Sequence, residues 1–334
     1  MRFNSGFNGR FNTGRYLNGN YLVKTSSYGC SFFGIEKRAL RVGEELRSEF
    51  PDSIDLKISN RCSHGCPFCH ESSTIEGKVL NLKRTKEILE QLPAKPIEIA
   101  VGGGNVLECL DETEDILEWL QEKGFKTRVT ITLNDLMSTG NKNLDDRISK
   151  LLVNKVEGLG ISVTSLKCMK LGKNSVDYFK SSLLDYTDIG KNLLGYGPQA
   201  VYHVIAGITP VNDIKWIIEN TKGSILVLGY KQWGRAMGTN LPDMTDLKHY
   251  LKNLIESTQT DLKSLGFDNL AIEQLGIKDL VDSEKWKGIY LGDEGTCSMY
   301  IDAVKGEFAR TSRSPERVSW NDVKLLDYYA SLSN

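Results

Sequence analysis

The sequence predicts an α/β fold in which a parallel sheet is built from six strand–helix units. Short apolar runs alternate with segments of helical spacing from residue 52 to about residue 265, which is typical of parallel strands joined by right-handed crossovers. The runs are nearly continuous, as expected of strands covered on both faces. Glycine or hydroxyl-bearing residues follow several runs, at the strand ends where such folds bind ligands. Six units fit either an incomplete barrel or an open doubly wound sheet.

Start and stop signals bound several of the predicted elements. The predicted strands are residues 54–58, 97–101, 127–132, 158–163, 200–205 and 225–228. The predicted helices are residues 82–92, 115–123, 144–153, 176–184, 211–220 and 247–265. Pro93 ends the first helix, Gly124 ends the second, and three glycines end the second strand, because proline and glycine interrupt regular structure.

Two flanking segments depart from this rhythm. Residues 1–50 contain repeated Asn-Gly elements that predict a loose arm to about residue 20, followed by a hairpin with its turn at Tyr28-Gly29. That hairpin is either a cover over an active site or a decorated edge strand. Residues 266–334 predict a small β-meander and a closing helix. We therefore expect an N-terminal arm and hairpin, a barrel over 51–265, and a C-terminal extension.

Composition limits the class of protein. The chain has 334 residues, a formal net charge of −1 and 40% hydrophobic residues, which is ample for a full core. The near-zero charge gives no strong sign of nucleic-acid binding. No apolar run reaches the ~18 residues of a membrane span, and no apolar stretch near the N-terminus indicates a signal peptide. We therefore expect a cytoplasmic protein, in which crowded cysteines indicate metal binding rather than disulfides.

The crowded cysteines are Cys62, Cys66 and Cys69, with the spacing C-x3-C-x2-C directly after the first predicted strand. Thiolates are preferred ligands of zinc and of iron–sulfur clusters. A structural zinc site needs four protein ligands, which His64 or His70 could complete. The stretch from Cys66 to His70 also matches the attachment spacing of c-type haem, although haem attachment normally accompanies export. Three thiolates would leave a four-iron cluster one ligand short.

The cysteine loop resembles the signature of the radical S-adenosylmethionine (SAM) superfamily, C-x3-C-x-Φ-C, with Phe68 as the aromatic residue. The order of elements agrees, because the loop follows the first strand and a glycine-rich end follows the second. The resemblance implies a partial (β/α)6 TIM-like barrel, here with an N-terminal β-hairpin extension and a small C-terminal β-meander plus helix.

The resemblance also implies cofactors and a reaction. Cys62, Cys66 and Cys69 would hold a [4Fe-4S] cluster whose open iron binds SAM. One electron from the cluster would cleave SAM, and the resulting 5′-deoxyadenosyl radical would take a hydrogen atom from an unidentified substrate. An electron donor such as flavodoxin or ferredoxin is an implied partner. The chain has no second cysteine-rich segment, which argues against the auxiliary-cluster branch that matures peptides.

Several residues are implied to contact SAM. Phe68 is expected near the adenine or the cluster. Gly102, Gly103 and Gly104 stand where the family has a G-G-E segment, whose peptide groups contact the SAM amino group. Asn105 replaces the usual acidic residue, so we expect it to contact SAM without a carboxylate.

Further candidates lie at later strand ends. Ser162 and Thr164 end the fourth predicted strand and could bind the ribose or the methionyl carboxylate, or cap the next helix. His203 is a SAM or substrate contact if it faces inward, and a core histidine otherwise. Two cationic groups could hold an anionic substrate or lie in solvent. They are Lys231 with Arg235 after the sixth strand, and Arg310, Arg313 and Arg317 near the C-terminus.

Alternative functions follow from the same loop. A zinc-binding interaction module would use the cysteines structurally, and a glycyl-radical-activating enzyme would use the same cluster within the same superfamily. A third alternative binds a cluster but has lost catalysis. No paired-cysteine methyltransferase arrangement is evident, although Cys30 and Cys297 could approach one another in space.

Overall fold

The computed structural model describes residues 12–28, 31–41, 45–136, 141–166, 199–221, 223–257, 262, 264–290 and 292–332. Cys30 and the predicted helix at 176–184 lie outside these ranges. The strands are β1 (Asn12–Asn18), β2 (Tyr21–Tyr28), β3 (Ser31–Ala39), β4 (Ser53–Ser59), β5 (Glu98–Gly103), β6 (Lys126–Thr132), β7 (Gly158–Val163), β8 (Gln199–Ile205), β9 (Ser224–Leu228), β10 (Ser264–Phe267), β11 (Ser298–Asp302), β12 (Glu307–Ala309) and β13 (Val318–Ser319).

The described helices alternate with the strands of the main sheet through α5. They are α1 (Leu82–Leu89), α2 (Leu110–Glu122), α3 (Lys142–Asn154), α4 (Val211–Thr221), α5 (Thr245–Glu256), α6 (Asn269–Leu275), α7 (Ser283–Ile289) and α8 (Leu325–Ser331). None of these helices has the length and apolar character that crossing a membrane requires.

The main sheet confirms the predicted α/β class and its partial barrel. Its strand order is β10-β9-β8-β7-β6-β5-β4-β11-β12-β13, and all neighbours from β10 to β11 are parallel. The six predicted strands are β4 to β9, in sequence order across the sheet. Since parallel strands end at the same edge, the loops after β4 to β9 meet at one mouth.

The prediction of one helix over 247–265 is wrong. Helix α5 ends at Glu256, and β10 pairs in parallel with β9. Leu262 and Leu265 are three residues apart and imitate a helical period. In the structure Leu265 and Phe267 are buried as alternate residues of a strand.

The C-terminal extension contributes to the same sheet. Strand β11 pairs in parallel with β4, with Tyr300 opposite Asp55. Strands β12 and β13 then form the predicted meander by antiparallel pairing, and α8 is the predicted closing helix. The main sheet thus continues beyond residue 265, and the proposed domain boundaries stay predictions.

Alternation along the strands divides apolar from polar side chains. In β4, Ile54, Leu56 and Ile58 are buried in the hydrophobic core, whereas Asp55 and Lys57 lie on the opposite, inner face. The inner face of β4 therefore has charged side chains. A strand covered by helices on both faces would have apolar side chains on both.

The N-terminal segment contains a hairpin, as predicted, and one more strand. Residues 12–18 form β1, which pairs with β2 through a turn at Gly19-Asn20. The expectation of a loose arm to residue 20 is therefore wrong for this part. Gly19 has φ +58° and a Cβ there would lie 1.8 Å from the Arg47 carbonyl oxygen, so the Asn-Gly element is a tight turn.

A buried carboxylate attaches this small sheet to the barrel. Asp52, just before β4, accepts hydrogen bonds from Asn18 Nδ2 (2.7 Å), Tyr21 Oη (2.5 Å) and Tyr16 Oη (3.3 Å). Lys37 Nζ lies 3.1 Å from the same carboxylate. These contacts are at the N-terminal end of β4, opposite the cysteine loop. These contacts thus fix the small sheet at the end of β4 that lies away from the cysteines, so they do not place it over the cysteine loop.

Candidate active site

The cysteine loop leaves β4 and is closed at its base by backbone hydrogen bonds. Asn60 N donates to Lys78 O (2.8 Å), Thr74 N to Asn60 O (3.1 Å), and Cys62 N to Thr74 O (2.8 Å). A Cβ on Gly77 would lie 1.9 Å from the Asn60 carbonyl oxygen, so only glycine allows the two sides of the base to approach this closely. Residues 62–74 therefore form a closed loop at the carboxyl end of β4.

The three cysteines all lie on this loop, half-buried and in no disulfide. Cys69 N donates to Cys66 O at 3.2 Å, which makes a tight turn between these two residues. Burial raises the pKa of the Cys62 thiol, because desolvation disfavours the thiolate. Phe68 is half-buried and packs against the core, so its contact with adenine or a cluster stays a prediction.

The glycines after β5 pack against the base of the cysteine loop. Gly103 has φ +128°, and a Cβ there would lie 2.3 Å from the Ser59 carbonyl oxygen; at Gly104 it would lie 2.2 Å from the Arg61 carbonyl oxygen. Gly104 N donates to Ser59 O at 2.7 Å. Gly103 and Gly104 are thus needed because the backbone after β5 packs closely against the backbone at residues 59–61. Among the described residues other than its chain neighbours, no heavy atom lies within 4 Å of the Cβ position of Gly102, which leaves room for a ligand.

Asn105 and His64 connect the loop to the ends of β5 and β6. Asn105 Nδ2 lies 3.2 Å from His64 Nε2 and donates to Asp135 Oδ1 at 2.9 Å. His64 Nε2 is 3.2 Å from Asp135 Oδ1 and 3.3 Å from Thr132 Oγ1. The hydrogen bond with Asp135 raises the pKa of His64. The Asn105 side chain is therefore engaged by the protein, and its contact with SAM stays a prediction.

On the opposite side, the loop after β9 contacts the cysteine loop. Arg235 Nε donates to Cys66 O at 2.8 Å and Nη1 donates to Ser73 O at 2.6 Å. The sequence predicted Arg235 as a substrate-binding cation, whereas in the structure its guanidinium donates hydrogen bonds to backbone carbonyls of the cysteine loop. Nothing local in the sequence signals this contact, because the partners are 169 residues apart.

A buried ionic network lies beneath the loop. Lys57 Nζ is 2.5 Å from Glu71 Oε2 and 3.1 Å from Asp302 Oδ2, with 3% of the lysine side chain exposed. Tyr300 Oη donates to Glu71 Oε1 at 3.2 Å. Burial, with Lys231 and Lys57 nearby, holds the pKa of His70 well below 6.5. Glu71 follows Cys69 by two residues, so the network ties the loop to β4 and β11.

The predicted hydroxyl and histidine contacts lie together on the inner face of the barrel. Thr132, Ser162 and His203 are opposite one another in β6, β7 and β8. A Cβ on Gly160 would lie 2.6 Å from His203 Cε1, which places the imidazole on the inner face. Burial and the charge of Arg128 lower the pKa of His203 to about 4, so the ring is neutral at pH 7. Thr164 follows β7 and is half-buried.

Sequence reasoning missed Asp55, a carboxyl group on the same inner face. Its side chain reaches solvent through the lumen, yet protein atoms enclose it on its sides. This enclosure raises its pKa to about 6, opposed by Lys231 and reinforced by Glu294 and Glu98. No hydrogen bond or ion pair to Asp55 occurs among the described residues. The lumen thus contains a carboxyl group available to a bound molecule.

Asp55→Asn should stabilise the iron-free protein above pH 6. The carboxyl pKa rises from 3.8 in the unfolded chain to about 6 in the fold, so the stability of the wild type falls as pH rises between these values. Asparagine has no such loss. With solvent screening in the open lumen we expect a gain of about 1 kcal/mol at pH 7.5, which shrinks toward pH 4. Urea unfolding at several pH values measures it, and an equal gain at pH 4 and 7.5 contradicts this origin.

The three C-terminal arginines do not form a common anion site. Arg313 Nη2 is 2.8 Å from Glu294 Oε2, and Arg310 Nη2 donates to the Leu332 carbonyl. Arg317 lies over the Tyr300 ring, 4.9 Å from its centroid. An open cavity of about 390 Å³ is lined by Arg310 and Arg313 but also by acidic side chains. Lys231 donates to Ser312 Oγ at 3.0 Å, and its charge also acts on Asp55.

The cysteine loop suits a cluster with one open position. It brings three half-buried cysteines, none in a disulfide, to one mouth of the barrel, and thiolates are the ligands of iron–sulfur clusters. A smaller donor set also exists, because ligand atoms of Cys62, His64 and Glu108 lie within 4.8 Å of one another. That set mixes sulfur, nitrogen and oxygen, as zinc accepts. Cys297 is buried, and its predicted approach to Cys30 falls outside the described residues.

Comparisons with known proteins bear on the family and the fold. Residues 56–217 match the Radical SAM superfamily, and no curated protein sequence matches the chain. The fold resembles SuiB of Streptococcus suis bound to S-adenosylmethionine, with TM-score 0.57 and 17% identity over 85% of this chain and 66% of that one. SuiB bound to the precursor peptide SuiA gives TM-score 0.57 and 15% identity, over 85% and 65%. The chain therefore spans just under two thirds of SuiB.

Proposed function

Because the chain belongs to the radical SAM superfamily, whose cofactors are a [4Fe-4S] cluster and SAM, we propose that Cys62, Cys66 and Cys69 hold that cluster. The observation that carries the proposal is the set of three half-buried cysteines, none in a disulfide, on one closed loop at the mouth of the barrel. When bound, the cluster supplies the electron that cleaves SAM to a 5′-deoxyadenosyl radical, which abstracts hydrogen from substrate. The protein binds and orients these groups.

The SAM site that we propose lies between the loop and the inner face. Gly102 leaves room for a ligand beside β5, and Phe68 lies on the cysteine loop itself. Ser162 and His203 face the lumen from β7 and β8, where a hydroxyl and a neutral imidazole can hydrogen-bond ribose or carboxylate oxygens. Thr164 follows on the same edge. Gly103, Gly104 and Asn105 support this site by holding the base of the cysteine loop.

The substrate that we propose is a polar molecule held in the lumen. Asp55 and Lys231 put charged groups there, and small-molecule sites use a few such groups to fix orientation. SuiB binds a precursor peptide, and a peptide side chain of suitable polarity belongs to this class. An electron donor such as flavodoxin or ferredoxin is the partner that a reductive cleavage requires.

A zinc-binding module is the second candidate, and the donor set of Cys62, His64 and Glu108 favours it. Metal analysis separates the two. After anaerobic reconstitution, a radical SAM enzyme should contain about four iron and four sulfide per chain and form 5′-deoxyadenosine from SAM under dithionite. One zinc per chain, without a brown chromophore or SAM cleavage, would establish the zinc module. A cluster without SAM cleavage would indicate a member that has lost catalysis.

A further inference from the structure

Arg235 reaches from the loop after β9 to the cysteine loop and satisfies three of its carbonyls. Its Nε donates to Cys66 O and its Nη1 to Ser73 O, at 2.8 and 2.6 Å. Its backbone N–H donates to Cys69 O at 3.0 Å. Two of the three accepting residues are predicted cluster ligands.

The backbone beside Arg235 fits the cysteine loop equally closely. Gly234 has φ +58°, and a Cβ there would lie 2.6 Å from the Cys69 carbonyl oxygen and 2.5 Å from that of His70. Ala236 is fully buried and ends the short 3-10 helix that Gly234 begins. Arg235 therefore projects from a packed segment, and its guanidinium is held in place at its origin as well as at its acceptors.

The chemistry of arginine suits this position. The cysteine loop has no regular structure between Cys62 and Thr74 apart from turns. Its own turns give Cys66 O and Cys69 O one donor each, from Cys69 N and Ser72 N, and a carbonyl oxygen can accept a second hydrogen bond from outside the loop. A guanidinium is planar, permanently charged and forked, so it can bridge two carbonyls at fixed separation, whereas lysine presents a single point charge. A permanent positive charge beside the loop also favours thiolates and a cluster that has gained an electron.

We propose that Arg235 is a positioning residue that holds Cys66 and Cys69 in the geometry that the cluster needs and makes the cluster easier to reduce. The proposal rests on the proposed function of the cysteine loop. It assigns a role in cluster binding to the loop after β9. The sequence does not indicate this role, because Arg235 and Cys66 are 169 residues apart.

Arg235→Gln and Arg235→Lys test the proposal, with Arg310→Lys as the matched control because Arg310 donates to the Leu332 carbonyl, outside the cysteine loop. We expect reconstituted Arg235→Gln to release iron to a ferrous chelator about 10–100 times faster than wild type, with a lower reduction potential of the cluster. Arg235→Lys keeps the charge, so it should release iron faster but keep a potential closer to wild type. The thermal midpoint of iron-free Arg235→Lys should stay close to that of wild type.

Two results overturn the proposal. If both Arg235 variants retain iron and potential like wild type and Arg310→Lys, Arg235 does not position the ligands. If iron is lost only from variants whose iron-free form also has a lower thermal midpoint, and in proportion to that fall, Arg235 contributes to general stability and does not position the ligands. Should Arg235→Gln fail to fold, Arg235→Lys decides alone. If the Arg235 variants give either of these results while wild type binds iron and cleaves SAM, only this inference has failed. If wild type itself binds no iron, the proposed function fails too.

Discussion

Lys57→Met should lower the free energy of unfolding of the iron-free protein by about 3–5 kcal/mol, the usual cost of removing one partner from a buried charged network. The Nζ of Lys57 lies between Glu71 and Asp302, at 2.5 and 3.1 Å, and both carboxylates are mostly buried. Methionine keeps the length of the side chain but leaves two carboxylates facing each other without a cation. Urea unfolding measures the loss. Because Glu71 follows Cys69, the variant should also bind less iron.

Lys287→Met is the matched control for this variant. Lys287 pairs with Glu284 at 2.7 Å, but both side chains are more than two thirds exposed, and such pairs contribute at most about 1 kcal/mol. The prediction fails if Lys57→Met costs no more than Lys287→Met. That outcome would mean that water or a shifted side chain compensates the two carboxylates, and that the network does not hold the loop.

Gly104→Ala should separate the end of β5 from the cysteine loop. Its new Cβ would lie 2.2 Å from the Arg61 carbonyl oxygen, which belongs to backbone and cannot turn aside. The hydrogen bonds from Gly104 N to Ser59 O and from Asn105 N to Arg61 O, both 2.7 Å, must lengthen. We expect a loss of about 3 kcal/mol, the upper end of the range for overpacking, and iron content well below that of wild type after reconstitution.

Gly102→Ala provides the contrast within the same glycine triplet. In the part of the chain that the structure describes, no heavy atom beyond its chain neighbours lies within 4 Å of its Cβ position. The free energy of unfolding should therefore change by less than about 0.5 kcal/mol, and the iron content should match wild type. If SAM lies against Gly102, as proposed, the added methyl should raise the KM for SAM. Equal destabilisation of the two variants would contradict the different roles assigned to these glycines.

The fold and the cysteine loop could be predicted because their signals are local. Thiol spacing, the apolar run of β4 and the glycines after β5 can each be read within a few residues, and the matching of residues 56–217 to the superfamily confirms the resemblance. The supports of the loop are not local. Arg235 and Asp302 are 169 and 245 residues from their partners, and only the closing of the sheet brings them together.

Other differences arise where one pattern serves two structures. Three glycines after a strand suit a ligand or a close backbone approach, and only the position of residues 59–61 separates Gly102 from Gly104. Leucines three residues apart imitate a helix although Leu265 lies in a strand. The helix predicted over 247–265 was wrong for this reason. Asp55 was overlooked because a single charge inside an apolar run does not reveal that it faces a lumen.

The most direct measurement of the central claim compares reconstituted wild type with Cys66→Ala in anaerobic SAM cleavage under dithionite. Cys297→Ala is the control, since Cys297 is a buried thiol outside the loop. We predict 5′-deoxyadenosine from wild type and from Cys297→Ala, and none above background from Cys66→Ala, because two thiolates do not hold a four-iron cluster with one open iron. If Cys66→Ala cleaves SAM as well as wild type does, the cysteine loop is not the site of this chemistry.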